Sequence, residues 1–246
     1  MEKQVILGAV AASLSLLLSP VSATAQAPAA NSLEELYAEV VHAEDIQAIK
    51  RLTNVYGYYR DALRRDDMLT LFTDDASYDT GNGKYIGKGS IERLFKGDRF
   101  DLPLANLADG DLKGKLNEHV MMQGVITIAP DGLAAKARFK DFAFQAISKE
   151  SQTYSVGQYE NSYRKVDGVW MIQEIRHCYR LKMPYDASSV SFPKSPVYTR
   201  VPQFYPEDPN GPDRQSPYAC HLYPDAGVDP PLHFDHPVTG ERLQKP

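Results

Sequence analysis

One carboxylate in this chain sits where proton chemistry could reside. Tyr56-Gly57-Tyr58-Tyr59-Arg60-Asp61 sets it among three phenols, and Asp66 and Asp67 then open a short apolar stretch that runs to Phe72 and Asp74-Asp75. A carboxylate in an apolar pocket either has its pKa raised or is held charged by a partner, and either state suits general acid/base work. The competing arrangement is an ordinary helix salt bridge from Asp61 to Arg64 or Arg65, at three or four residues' spacing. His119 is the second candidate, because an imidazole with an unperturbed pKa of ~6.5 exchanges protons near neutral pH. Its alternative is a strand-end histidine bonded to Glu118 or to solvent. Tyr58, Tyr59 and Tyr78 supply phenols that could donate to a developing oxyanion or stack on an aromatic substrate. Core packing is the default use for Tyr56 and Tyr59, which share an apolar stripe. Arg138 and Lys140 share one face of a strand. Pointing inward they could hold a phenolate or steady an enolate or alkoxide; pointing outward they are solvated charges.

Other chemistries find no support. His233, Asp235 and His236 cluster near the C-terminus without any defined ligand geometry. There is no CxxC pair, glycine-rich phosphate loop, dinucleotide fingerprint or serine nucleophile elbow. Neither a metal nor a cofactor is expected.

The elements that must position these groups follow from periodicity. Ser32-Leu33-Glu34-Glu35 is a capping box. Leu33, Leu36, Tyr37 and Val40 then recur at helical spacing, and a second phase from Asp45 puts Ile46, Ile49, Leu52, Tyr56, Tyr59 and Leu63 on one stripe. A third, short helix is predicted over 67–72, a short strand over 76–79, a turn at Gly81-Asn82-Gly83, and a helix over 91–95 capped by Ser90. Residues 97–117 read as a polar loop, long enough for a lid or an entrance. Four long strands follow at 119–129, 133–147, 151–166 and 169–181, turning at Pro130-Asp131-Gly132 and Asp167-Gly168 as two antiparallel hairpins. Helices followed by long antiparallel strands define an α+β layout, with a strongly curved sheet wrapped on the N-terminal helices around one pocket.

The two ends differ from this middle. Residues 1–27 read as a signal peptide: a charged start, an apolar run over 5–18, and small residues at 22–27. That run is shorter than the ~20 residues of a membrane span, so the mature protein is expected in the periplasm or outside the cell, free of the membrane. From residue 184 the periodicity ends. Thirteen of the 17 prolines lie in 184–246, punctuated by Tyr185, Phe192, Tyr198, Phe204, Tyr205, Tyr218, Tyr223 and Phe234. Disordered tails are poor in aromatics, so this extension is expected to pack as an arm on its own domain or on a neighbouring subunit. Cys178 and Cys220 could pair in an oxidising compartment or remain two buried thiols. The net charge of −5, with no Lys/Arg run, argues against nucleic acid as a partner.

The helix ending in Tyr58-Tyr59-Arg60-Asp61, Asp74-Asp75-Ala76, Tyr85-Ile86-Gly87-Lys88-Gly89-Ser90-Ile91, Leu116-Asn117-Glu118-His119, Gly157-Gln158-Tyr159-Glu160 and the hairpin Tyr163 to Trp170 together resemble the SnoaL-like branch of the NTF2-like superfamily. The resemblance covers about residues 35–182 and defines a domain over 32–183. It implies a cone-shaped α+β barrel, assembled as a homodimer or homotrimer. Members include scytalone-dehydratase-like enzymes, polyketide cyclases, steroid isomerases, cofactor-free deformylating lyases of lignin-derived diarylpropanes, and non-catalytic binding modules.

Carried over residue by residue, the resemblance puts Asp61 and His119 in the pocket. Tyr78 stands two positions before the pocket tyrosine of the dehydratases, on the same face by strand alternation. Asn161 and Tyr159 fall near the family's second histidine position, so that histidine is absent; His177 could stand in for it, or make a rim or subunit contact.

The implied function is a cofactor-independent lyase acting on a bulky, hydroxylated, aromatic, lignin-dimer-like small molecule. It would lose water, or a one-carbon aldehyde by retro-aldol cleavage. His119, Asp61, Tyr78 and Tyr59 would be catalytic, and Tyr58, Arg138, Lys140, Asn161, Tyr159 and His177 would bind substrate. The alternatives are a non-catalytic small-molecule-binding or assembly module, and an isomerase or cyclase of the same family.

Overall fold

A computed structural model of the chain describes residues 32–97, 108, 110–185, 203–218, 220–221 and 232–242. The predicted signal segment and most of the predicted lid loop lie outside them. Helix α1 (Leu33–Asp61) opens on the capping box: Ser32 Oγ accepts the Glu35 N–H at 3.1 Å, and the Glu35 carboxylate accepts the Ser32 N–H at 2.8 Å. The two apolar phases do not break the helix. The second is buried, with Ile49, Thr53, Tyr56 and Arg60 facing the sheet, while Leu33, Leu36, Tyr37 and Val40 are exposed. The helix stops at Asp61, and Leu63 turns the chain with φ 54°.

Helix α2 (Arg65–Leu69) is shorter than predicted and starts earlier. Residues 71–72 are taken from it by strand pairing: Leu71 O accepts the Ile172 N–H at 2.9 Å, and Phe72 begins β1 (Phe72–Asp79) fully buried. Strand β2 (Lys84–Ile86) leads to α3 (Lys88–Lys96), whose N-cap is Gly87 at φ 84° rather than Ser90. Ser90 lies inside the first turn, its N–H bonded to Gly87 O at 3.0 Å. The long strands are β3 (Lys115–Ile128), β4 (Ala134–Ile147), β5 (Ser151–Val166) and β6 (Val169–Pro184).

All six strands form one sheet in the order β2-β1-β6-β5-β4-β3, with β1 parallel to β6 and every other pair antiparallel. Asp167 and Gly168, both at positive φ (49° and 81°), make the tight turn between β5 and β6. Alternation sorts β4 cleanly. Ala135, Ala137, Phe139, Asp141, Ala143 and Gln145 are buried on the inner face, and Lys136 and Lys140 are exposed on the other. The sheet closes over α1, and Tyr56, Phe72, Tyr78, Tyr159 and Tyr163 fill the space between them. Tyr56 meets Phe72 and Tyr159 edge-on at 6.0 and 6.3 Å, a favourable geometry for aromatic rings. Asp45, near the middle of α1, ties the helix to β5 and β6, accepting from Trp170 Nε1 and Lys165 Nζ at 2.7 and 2.8 Å.

The described C-terminal stretches lie on their own chain. Asp213 takes Arg93 at 2.7 Å, Tyr205 stacks on that guanidinium at 4.2 Å, and Tyr218 covers Arg176 at 3.7 Å. Cys178 and Cys220 form a disulfide, which decides between the two thiol arrangements.

Candidate active site

Asp61, the last residue of α1, meets His119 near the start of β3. Its Oδ1 stands 2.7 Å from His119 Nδ1, and its Oδ2 accepts the His119 backbone N–H at 3.1 Å. Both carboxylate oxygens therefore engage one residue. Asn117 Nδ2 donates to Arg60 O at 3.1 Å and so holds the helix end to β3, and Gln145 Nε2 on β4 steadies Asn117 by donating to its Oδ1 at 3.0 Å. The predicted alternatives are not formed. Arg64 turns to Asp67 at 2.5 Å, and Arg65 Nε donates to Phe95 O at 2.9 Å. The His119 side chain is only 2% exposed and that of Asp61 15%. With Nδ1–H given to the carboxylate, Nε2 carries the lone pair of the neutral ring and is the nitrogen able to take a proton.

A second His–Asp pair stands beside the first. His177 Nε2 on β6 lies 3.2 Å from Asp141 Oδ1 on β4. The intervening strand, β5, offers Gly157 at that point, and a Cβ there would overlap both the Asp141 carboxylate and the His177 ring. The glycine is what lets the pair close across β5. Strand register places Ala143 opposite His119, so Asp141 is its diagonal neighbour on the same inner face, at roughly 7–8 Å. Burial works to raise the Asp141 pKa. The charges of His177, Arg60 and His119, with the His177 hydrogen bond, outweigh it and hold the carboxyl below its usual value. Asp141 Oδ2 is buried and has no hydrogen-bond partner among the described residues. A buried ionised oxygen in that state calls for a donor.

Phenols line the rest of the interior. Arg60 Nη1 donates to Tyr159 Oη at 2.6 Å, the Tyr56 and Tyr78 hydroxyls meet at 3.1 Å, and Thr53, Tyr163 and Asn161 form a chain at 2.6 and 3.0 Å. Burial pushes the Tyr78 and Tyr159 phenols well above their ordinary pKa, and that of Tyr163 up to about 12. These groups stay protonated at neutral pH and act as hydrogen-bonding phenols, never as bases.

The dyad borders a recess of about 240 Å³ between α1 and β3, lined by Asn54, Gly57, Tyr58, Asp61, His119 and Met121 among others. Tyr58, 74% exposed, stands at its mouth. The volume is below the ~300–1,000 Å³ of common ligand pockets, and suits one ring of a larger molecule.

The other predicted site residues divide. Tyr159 and His177 lie inside, their rings 4.4 Å apart, so His177 is buried rather than at the rim. Asn161 is buried against Tyr163. Tyr78 is fully buried against Tyr56 and Phe95 and does not line the recess. Tyr59 packs against the core, with Arg64 5.5 Å over its ring, and also stands outside the recess. Arg138 and Lys140 do not join the site. Alternation puts them on the outer face, where Arg138 binds Glu160 and Lys140 is exposed. Sequence reasoning missed Arg60 and Asp141. Arg60 continues the buried stripe four residues after Tyr56, and Asp141 is the carboxylate in the otherwise uncharged alternation Phe139, Asp141, Ala143, Gln145. No group of three or more His, Cys, Asp or Glu residues among those described is arranged to hold a metal ion.

A curved sheet closed over one long helix, with a buried His–Asp dyad at the helix end, defines a small α+β cone protein with a polar interior. The model of the SnoaL-like domain matches residues 41–176, more than half of the chain, and the protein belongs to that family. No curated protein matches the sequence. Among solved structures, a candidate scytalone dehydratase from Novosphingobium aromaticivorans is 19% identical, with a TM-score of 0.50 over 61% of this chain and 93% of its own. An NTF2-like protein of cystatin-like fold from the same organism is 20% identical, with a TM-score of 0.50 over 65% and 94%. A type-3 LinA hexachlorocyclohexane dehydrochlorinase from Novosphingobium barchaimii is 14% identical, with a TM-score of 0.51 over 61% and 96%. At these identities the likeness is one of fold.

Proposed function

We propose that this protein is a cofactor-independent lyase acting on a bulky, hydroxylated, aromatic small molecule. The observation that carries the reading is the Asp61–His119 pair, a buried imidazole whose Nδ1 meets one Asp61 carboxylate oxygen while the other oxygen takes the His119 backbone N–H. Nε2 takes a proton from the substrate, and Asp61 stabilises the resulting imidazolium. In dehydration the proton comes from carbon, its electron pair forms the double bond, and the leaving hydroxide recovers the proton as water. In deformylation the proton comes from a hydroxyl, the C–C bond breaks to release formaldehyde, and the pair left on carbon is reprotonated. Either cycle returns the dyad to its starting state. Tyr58 stacks on a ring at the mouth. The dehydratase and dehydrochlorinase names of two structural neighbours both describe eliminations, which supports the lyase class.

The enzyme works in the periplasm or outside the cell, a placement supported by the apolar N-terminal run and by the Cys178–Cys220 disulfide. It assembles as a homodimer or homotrimer through the outer face of β3, where Leu116, Val120, Met122 and Val125 are each more than a third exposed. The test is incubation of the mature chain with hydroxylated diaryl compounds, following loss of 18 mass units or released formaldehyde, with His119→Ala as control. Turnover that survives in His119→Ala refutes the assigned base. Tight binding without turnover makes the protein a binding module.

A further inference from the structure

Asp141 is a buried carboxylate for which the proton steps above have no use. It lies on the inner face of β4 with no exposed surface, where an ionised group is destabilising unless its charge is put to work or paired. Its one hydrogen bond comes from His177 Nε2 on β6, 3.2 Å from Oδ1, and Oδ2 has no partner among the described residues. Gly157 on β5 leaves the gap that this bond crosses. A single neutral-length hydrogen bond damps little of the carboxylate's field.

Four charged or titratable groups face Asp141, one from each element packed around it: His177 on β6, Arg60 on α1, His119 on β3 and the Tyr159 phenol on β5. The phenol keeps its proton, because burial raises its pKa. Burial alone would neutralise Asp141 too, but the charges of His177, Arg60 and His119 prevail and keep it ionised at neutral pH. The coupling to His119 is reciprocal: a carboxylate favoured by an imidazolium favours that imidazolium equally. Arg60 and Asp61, neighbours at the end of α1, carry opposite charges, and Asp141 adds a second negative charge to the same interior. Proton uptake by His119 therefore brings this group of four toward neutrality.

We infer that Asp141 is a positioning residue for the proton step: its ionised carboxylate, held by His177 across Gly157, stabilises the imidazolium that forms on His119. The inference takes its use from the lyase reading and its geometry from the inner face alone. Strand register sets Asp141 diagonally across from His119, roughly 7–8 Å away. Coulomb's law over that distance, at an effective dielectric constant of about 20, moves the His119 midpoint by about 1.5 pH units.

The test is a pH titration of nitrogen-15-labelled histidine in the full-length protein without substrate. Asp141→Asn removes the charge and keeps an acceptor for His177, and it should lower the His119 midpoint by about 1.5 units. His177→Gln keeps a donor to Asp141 and should leave that midpoint in place. In turnover, the acid limb of the kcat/KM profile should shift by the same amount in Asp141→Asn, whereas a purely structural defect would lower the profile without moving the limb. An unmoved His119 midpoint in Asp141→Asn, or a raised one in His177→Gln, would overturn the inference. The two readings fail separately: the predicted shift without any turnover refutes the lyase assignment alone, and turnover with an unshifted His119 refutes the role of Asp141 alone.

Discussion

Replacing Asp61 with asparagine keeps the size of the side chain and removes one of the two acceptors that His119 needs. The carboxylate accepts twice, from Nδ1–H at 2.7 Å and from the backbone N–H at 3.1 Å. An amide has one carbonyl oxygen. If that oxygen faces the backbone N–H, the NH2 group faces Nδ1. The ring must then accept there, which moves its proton to Nε2 and removes the base. If the amide flips, two donors face each other at the backbone, and a buried N–H is stranded at a cost of about 1–3 kcal/mol. The first orientation is cheaper, so the variant should fold with nearly normal stability and carry the wrong tautomer. General-base catalysis contributes about 10²–10⁴-fold, or about 3–5 kcal/mol of barrier at 1.36 kcal/mol per decade, and this is the predicted fall in kcat/KM. Nitrogen-15 spectra of the imidazole give a readout that needs no substrate: Nδ1 protonated in the parent chain, Nε2 protonated in Asp61→Asn. An Asp61→Asn protein with unchanged tautomer and undiminished turnover would refute the dyad argument.

Three further outcomes follow from the packing. Gly157→Ala pushes a methyl into the Asp141–His177 contact; urea unfolding should show a loss of about 1–3 kcal/mol, the usual cost of overpacking, and a variant as stable as the parent would contradict the close approach. Asp45 loses some preference for its ionised form through burial, but the Lys165 and Trp170 hydrogen bonds prevail and lower its pKa. A lowered carboxylate pKa adds stability above the unfolded value of ~3.9 and loses it as pH falls through the folded value. Asp45→Ala should therefore cost about 1–2 kcal/mol at pH 7 and close to nothing once both chains are below their carboxylate pKa, as read from chemical denaturation at each pH. Opening the Cys178–Cys220 link, which spans 42 residues, should cost up to about 4 kcal/mol on loop-entropy grounds; the Cys178→Ser, Cys220→Ser double variant should melt correspondingly lower, and an unchanged midpoint would count against that account.

Elements whose signals are local were legible in the sequence. The capping box starts α1 at the predicted residue, and the period-2 alternation with turn residues at 130–132 and 167–168 gives the four long strands almost to their ends. Asp61 and His119 were marked one by one, and their contact joins residues 58 apart, a separation no periodicity reports. Where long-range pairing competes with a local signal, the local reading failed. The local signal puts Phe72 at a helix end, yet β6 takes the adjacent backbone into the sheet. For Arg138 and Lys140 the sequence leaves both faces open, because a strand pattern fixes which residues share a face but not which face is covered. Asp141 went unnoticed because its importance depends on Gly157 and His177 on two other strands.

The central claim is that the Asp61–His119 pair drives a cofactor-free lyase reaction. Its most direct test is a single-turnover experiment on the metal-free protein with a hydroxylated diaryl substrate, scored for water loss and formaldehyde in the parent chain and in His119→Ala. The account predicts product from the parent and a fall of about 10²–10⁴-fold in the variant. Equal rates in the two proteins, or none in the parent across such a panel despite saturable binding, would contradict it.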